Sequence, residues 1–324
     1  MNRIDMQIMR SRILLIAFSL TLAAGLQAQQ DPMYSMYMWN MMTLNPGYAG
    51  SNDVLNVTAL SRVQWASING APVTHSLSAH APVNRRSLGL GGSVVNDHIG
   101  RSNTLSAFAD LSYRIRLSHK TRLAFGLKAG INHASIANTQ VENTDPNDPT
   151  FMADISGRVS PNFGFGTYLW SKKGYVGLSV PKLLRNYLGK AGSDGIVTTF
   201  QQEATHVFLT GGYVFPMGTV KFKPSMMIRA SEGAPLSVDV AANFFLRDRL
   251  SLGAMYRYGT SVTGFFSVQL NDQFRAGYAY DLGGAAYTQR VGGSHEIMLS
   301  YDPIFTRERV RSPRYFGPCP AAYS

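Results

Sequence analysis

The 324-residue chain carries residue types capable of chemistry, but not at spacings that would perform it. Its seven histidines (His75, His80, His98, His119, His133, His206 and His295) contain no HExxH pair and no cluster at metal-ligand spacing. They read as single strand or loop residues. Asp145-Pro-Asn-Asp-Pro149 starts like a calcium loop but lacks the third oxygen ligand, the glycine and the closing glutamate, so a turn-rich loop is the better reading. Gly89-Leu-Gly-Gly92 and Gly164-Phe-Gly166 have the glycine density of phosphate-binding loops. No helix follows to present N–H groups to a phosphate, and the glycines are read as serving strand curvature. No GxSxG elbow or catalytic dyad stands out. Cys319 is the single cysteine, which excludes a disulfide framework and a cysteine-based zinc site. The expectation is therefore no catalytic residue, no cofactor and no metal.

The elements that would position any functional residue repeat one pattern. From Thr104 to Leu117, Leu105, Ala107, Ala109, Leu111, Tyr113, Ile115 and Leu117 share one face. Thr104, Ser106, Asp110, Ser112, Arg114 and Arg116 share the other, and Phe108 alone breaks the rule. Side chains alternate across a strand with period two, so this segment is oily on one side and wet on the other. The same logic reads strands at 55–65, 123–132, 236–244 and 250–258. Weaker versions follow at 72–81, 87–96, 160–170, 174–180, 205–215, 220–229, 261–270, 274–282 and 294–302, which makes fourteen in all.

Many half-apolar segments in succession point to an all-β fold, a transmembrane antiparallel β-barrel of about fourteen strands. The N-terminus agrees. Arg3, Arg10 and Arg12 precede an apolar run from Ile13 to Ala24, and Leu26-Gln27-Ala28 is a cleavage site, so residues 1–28 read as an export signal. That run is too short to cross about 30 Å of hydrocarbon as an anchor. Beyond it no apolar stretch has helix-spanning length, and a hydrophobic fraction of 45% is what half-apolar strands give. Removing the signal lowers the formal charge from +11 to +9; the charges are scattered singly, which favours a lipopolysaccharide-rich surface or an acidic protein over nucleic acid.

Connection lengths supply the topology. The turns centred on Asn84-Arg85-Arg86, Ser118-His119-Lys120, Ser171-Lys172-Lys173, Pro216-Met217-Gly218, Arg247-Asp248-Arg249 and Asn271-Asp272-Gln273 are short. The alternate set holds the long connections, 133–159, 181–204 and 283–293. Barrels have short periplasmic turns and long outer loops, so both termini are expected in the periplasm. A soluble β-sandwich also alternates, but it would leave several of these apolar faces uncovered.

Two segments fall outside the barrel expected at 54–302. Residues 29–53 include QDPMYSMYMWNMMTLNPGYAGS, rich in Met and aromatics and without alternation. Exposed in the periplasm it would be a hydrophobic hazard, so it is expected to pack in the barrel mouth or against a partner, with Met adapting to irregular contacts and Asn45-Pro46-Gly47 setting a turn. Residues 303–324 form an arginine-rich tail, with Arg307, Arg309, Arg311 and Arg314 beside Tyr315 and Phe316. Arg and aromatic residues are favoured at interfaces. The residues expected to dock a partner are Asp31, Pro32, Asn45, Pro46, Tyr48, Arg307, Arg309, Arg311, Arg314, Tyr315 and Phe316.

With these segments in view, the chain resembles the PorP/SprF family of type IX secretion outer-membrane proteins of Bacteroidota. The most specific part is the leader, which is similar to the family's QDPxFSQYMxNxxxxNPAYAGS, with Met36 where Gln is usual and Gly47 where Ala is usual. Pro161-Asn-Phe-Gly-Phe-Gly166, Gly177-Leu-Ser-Val-Pro181, Lys223-Pro-Ser225, Tyr256-Arg257, Ser294-His-Glu-Ile-Met298 and Ser312-Pro-Arg-Tyr-Phe316 extend the likeness over the mature chain. The resemblance implies an integral outer-membrane protein that helps secrete or surface-anchor cargo such as gliding adhesins. Its partners would be the periplasmic ring, the motor and cargo with a C-terminal sorting domain. The alternative from another class is a passive or substrate-selective porin, in which Asp110, Arg114, Lys128, Asp239 and Arg257 would line the pore instead of pairing into a plug. Lumen positions are expected to accept charge more easily than lipid-facing ones, Ser112→Arg more easily than Leu111→Arg.

Protease added to intact cells is expected to cut within 133–159 and 181–204 while sparing the tail near Arg311. Cleavage at the tail first would invert the topology.

Overall fold

In a closed cylinder every strand must find two partners, and here each does. The structure, a computed structural model, describes residues 32–83, 87–137, 154–191, 197–283 and 292–303. Its strands are β1 (Asn56–Val63), β2 (Val73–Pro82), β3 (Leu88–Ile99), β4 (Ser102–Arg116), β5 (Thr121–Ile136), β6 (Ile155–Ser171) and β7 (Gly174–Val180). They continue as β8 (His206–Tyr213), β9 (Val220–Ser231), β10 (Ser237–Leu246), β11 (Leu250–Arg257), β12 (Ser261–Gln269), β13 (Phe274–Gly283) and β14 (Ser294–Tyr301). All fourteen pair antiparallel with their sequence neighbours. Pairing of β1 with β14, from Val57 opposite Tyr301 to Val63 opposite His295, closes the barrel. Phe215–Met217 adds a short pairing with the start of β9.

Burial is inverted relative to a protein folded in water. Leu105, Leu111 and Ile115 on β4 are exposed, whereas Ser106, Asp110, Ser112 and Arg114 are buried. On β5, Leu127 is 65% exposed and Lys128 beside it only 3%. So many outward large apolar side chains would be costly in water and are favourable against acyl chains. No helix among the described residues is long and apolar enough to cross a membrane, a criterion that does not bear on strands. Phe108, the exception to alternation, faces inward, where Lys128 Nζ lies 5.1 Å from its ring centroid.

The short-turn end carries an aromatic belt of the kind that marks a membrane interface. Tyr213, Phe215, Phe222 and Phe244 follow one another at centroid separations of 4.7, 6.2 and 4.8 Å, and Phe274 stacks on Tyr301 at 4.5 Å. Arg247 and Asp248 both have positive φ in the tight three-residue connection between the paired Leu246 and Leu250. β1 starts and β14 ends at this same end, which barrels of this class turn to the periplasm. At the opposite end the 181–204 connection holds a small hairpin, Tyr187–Ala191 with Val197–Gln202, where the sequence reads only as loop. The turn Asn84-Arg85-Arg86, the centre of 133–159, most of 283–293 and Cys319 lie outside the described residues.

Leu111→Arg would place a guanidinium on the lipid face and is expected to cost about 2–4 kcal/mol if residue 111 lies near the bilayer midplane. Chemical denaturation in lipid vesicles measures it. The companion expectation, that Ser112→Arg is mild, needs correction. Ser112 is fully buried and its hydroxyl donates to Ala49 O at 2.6 Å, so an arginine there would collide with what fills the lumen.

Candidate functional site

What fills the lumen is the N-terminal segment itself, from Pro32 to Asp53. Its local structure follows from its residues. A 3-10 turn (Tyr37–Trp39), a one-turn helix (Met41–Leu44) and a second 3-10 turn (Pro46–Tyr48) succeed one another. Asn45 is extended, as the residue before proline must be, and its Oδ1 accepts the Gly47 N–H at 2.8 Å. The Asn45 amide nitrogen donates to Thr167 O at 3.0 Å, anchoring the turn to β6. Met36, Met38, Met41 and Met42 are fully buried and join one apolar cluster with Tyr168, Trp170, Met255 and Met298 of the wall. Trp39 meets Phe265 edge-on at 5.6 Å, and Tyr48 meets Tyr168 edge-on at 5.4 Å.

The segment runs along the lumen from the loop end to the short-turn end. Near the loop end, the Glu296 carboxylate accepts the N–H groups of Ser35 and Met36 at 2.8 and 2.7 Å. Arg62 binds the Ser35 hydroxyl at 2.7 Å and also pairs with Glu296 at 3.0 Å and Asp281 at 2.9 Å. At mid-height Asn40 exchanges hydrogen bonds with Ser76 and Ser78, and Lys128 donates to Met42 O at 3.3 Å. Near the short-turn end Arg114 donates to Gly50 O at 2.8 Å and pairs with Asp53 at 2.9 Å, and Arg122 pairs with the other Asp53 oxygen at 2.9 Å. The chain then leaves the lumen to begin β1.

Glycines on the inner wall make room for residues 45–49. A Cβ on Gly126 would lie 2.2 Å from Gly47 N and Pro46 C, and one on Gly89 would lie 2.2 Å from Ala49 O. On Gly166 it would lie 2.3 Å from Asn45 Oδ1. The Gly89 and Gly166 runs, read from sequence as curvature, therefore act as a cradle. Gly164 makes a similar close approach to Pro181 O, and Asn162 Oδ1 holds the N–H groups of Leu183 and Leu184 at 3.0 Å, so this stretch also fixes the loop after β7.

Two further ion pairs lie inside the lumen. Lys128 meets Asp110 at 3.1 Å, and Arg257 grips Asp239 through two bonds of 2.9 Å. Among the described residues no group of three or more His, Cys, Asp or Glu side chains could hold a metal ion. Of the residues singled out for docking, Asn45, Pro46 and Tyr48 are buried inside the barrel against β2, β5 and β6. Pro32 stands at the start of the described chain. Asp31, Arg307, Arg309, Arg311, Arg314, Tyr315 and Phe316 lie outside the described residues. Sequence reasoning missed Glu296, Arg62, Gly126 and Ser179. The polar positions on otherwise apolar strands were visible, but their common target was not.

The family model described as type IX secretion system membrane protein PorP/SprF matches residues 26–301, which takes in the lumen segment together with the whole barrel. The chain belongs to that family. No curated protein sequence matches. Among solved structures, this PorP/SprF chain is similar to the Ralstonia pickettii toluene transporter TbuX, with 11% identity, a TM-score of 0.52, and coverage of 83% of this chain and 94% of that one. It is also similar to the CymD monoaromatic hydrocarbon channel, with 12% identity, a TM-score of 0.50, and coverage of 84% and 94%. At such identities the likeness concerns the barrel fold alone. Family and fold together make this PorP/SprF protein an integral protein of the outer membrane.

Gly126→Ala is expected to keep a heat-modifiable barrel while unseating the lumen segment, at an overpacking cost of about 1–3 kcal/mol. Limited proteolysis should then cut within residues 37–48. Gly264→Ala, where an added Cβ meets nothing within 4 Å, should leave both readouts unchanged.

Proposed function

We propose that this protein is a non-enzymatic component of type IX secretion that assists export or surface anchoring of cargo bearing the system's C-terminal sorting domain, adhesins linked to gliding among them. The observation that carries the reading is the family match over 26–301, whose span includes the lumen segment. The partners in this reading are the periplasmic ring and motor proteins, the cargo and the outer-membrane lipid. The arginine-rich residues Arg307, Arg309, Arg311 and Arg314, with Tyr315 and Phe316, serve as the docking surface for an acidic periplasmic partner. Asp31 and Pro32 belong to the same proposal, whereas Asn45, Pro46 and Tyr48 would meet a partner only after leaving the lumen.

The filled lumen supports a binding role over passive flux. A porin needs a continuous polar path, and here Arg62, Arg114, Lys128 and Arg257 are occupied by carboxylates or by the segment's own carbonyls. A large, steady conductance of the purified protein in planar bilayers would favour the porin instead.

Deleting Arg307–Ser324 should leave a heat-modifiable barrel in the outer membrane, since β14 ends at Tyr301. Cargo export and co-purification of periplasmic ring components should both fall. Normal export with unchanged partner recovery would remove the docking role of the tail.

A further inference from the structure

The lumen wall reads its occupant through the main chain as well as through side chains. Glu296 of β14 accepts two backbone N–H groups, and the imidazole Nδ1 of His80 on β2 accepts the Gly50 N–H at 3.1 Å. Lys128 of β5, Ser179 of β7, and Ser112 and Arg114 of β4 donate to the carbonyls of Met42, Leu44, Ala49 and Gly50. Hydrogen bonds or ion pairs from the wall to the segment's side chains involve Ser35, Asn40, Asn45 and Asp53. At Gly89 and Gly126 the glycine cradle likewise meets main chain, that of Ala49 and of Pro46 and Gly47. Backbone hydrogen bonding gives affinity that does not depend on sequence, and side-chain pockets add selectivity.

The apolar contacts are of the same adaptable kind. Four buried methionines contribute to them beside Tyr34, Tyr37, Leu44 and Tyr48, and methionine packs against varied shapes. Two groups of the seated segment, Trp39 Nε1 and Ser51 Oγ, are buried without a hydrogen-bond partner, an energetic debt that release into water would remove.

We propose that the lumen wall is a polypeptide-binding groove whose resident ligand is residues 32–53. A segment of a second chain that folds into similar short turns, with small residues at the last of them, takes the same place when the resident leaves, its main chain bound by Glu296, Lys128, Ser179, Ser112, Arg114 and His80. This deepens the secretion reading above and rests on it, because a passing polypeptide is then the second occupant.

The test uses the purified full chain and a synthetic peptide of residues 32–53 with a photo-reactive group at position 42. A tethered segment competes at an effective concentration on the order of 1 mM, so a peptide of equal affinity at about 0.1 mM should occupy roughly one barrel in ten. Weakening only the resident, by Asn45→Ala in the chain with an unaltered peptide, should raise cross-linking several-fold. Asn40→Ala replaces it if that variant does not fold, as judged by heat modifiability. Gly126→Val, which obstructs the cradle, should abolish capture, and a peptide N-methylated at Ser35, Met36 and Gly50, which cannot donate to Glu296 and His80, should cross-link several-fold less. Absence of capture by a folded Asn45→Ala or Asn40→Ala chain, equal capture of the N-methylated peptide, or indifference to Gly126→Val would each overturn the groove. Because no secretion machinery takes part, such a failure leaves the secretion reading standing, and a failed export assay leaves the groove standing.

Discussion

Every backbone N–H and C=O that crosses hydrocarbon must be bonded within the protein, because the bilayer core offers no water. The rest of this structure depends on that constraint. A sheet satisfies it only by closing, and the pairing of Val57–Val63 with His295–Tyr301 is the seam that does so. Closure in turn forces the side chains into two populations, one against lipid and one in the lumen. That is why Leu127 is exposed and Lys128 buried, the reverse of what water would select.

Strand number then sets the interior problem. Eight strands enclose a space that side chains can fill, whereas sixteen or more leave an aqueous channel. Fourteen lie between, and the inner face here is built of small residues such as Ser76, Ser78, Ser112, Gly126 and Thr210. These cannot meet across the cylinder. The lumen segment supplies the missing volume, with methionines and aromatics against one part of the wall and bare main chain against the glycines. Among the charges brought inside by alternation, Lys128 is neutralised by Asp110 and Arg257 by Asp239, since an unpaired buried ion would be strongly unfavourable.

The occupant and the barrel are therefore one folding unit with separable contacts. The barrel's own ladders do not involve residues 32–53, while the segment depends on the barrel for nearly all of its contacts beyond three short turns. The proposed displacement of the segment would leave the strand ladders intact, since none of them involves it.

Fold, strand number and the two faces were legible in the sequence because they follow from period two, which a one-dimensional string records directly. Thr104–Leu117 alone contained the lipid face of β4, and the sorting of short and long connections contained the topology. The family resemblance was legible for a related reason, since spacing in Asn45-Pro46-Gly47-Tyr48 is a local property. What only the tertiary structure decided was the meaning of the residues that left the pattern. Phe108, placed inward by the strand's alternation, meets Lys128 there, and the glycines at 89, 126 and 166 are approached by residues 45–49, 40 to about 120 residues earlier. Glu296 and the Ser35 amide it holds are separated by 261 residues. Contacts of that range leave no periodicity in the sequence, because closure of the barrel, and not local preference, brings their partners together.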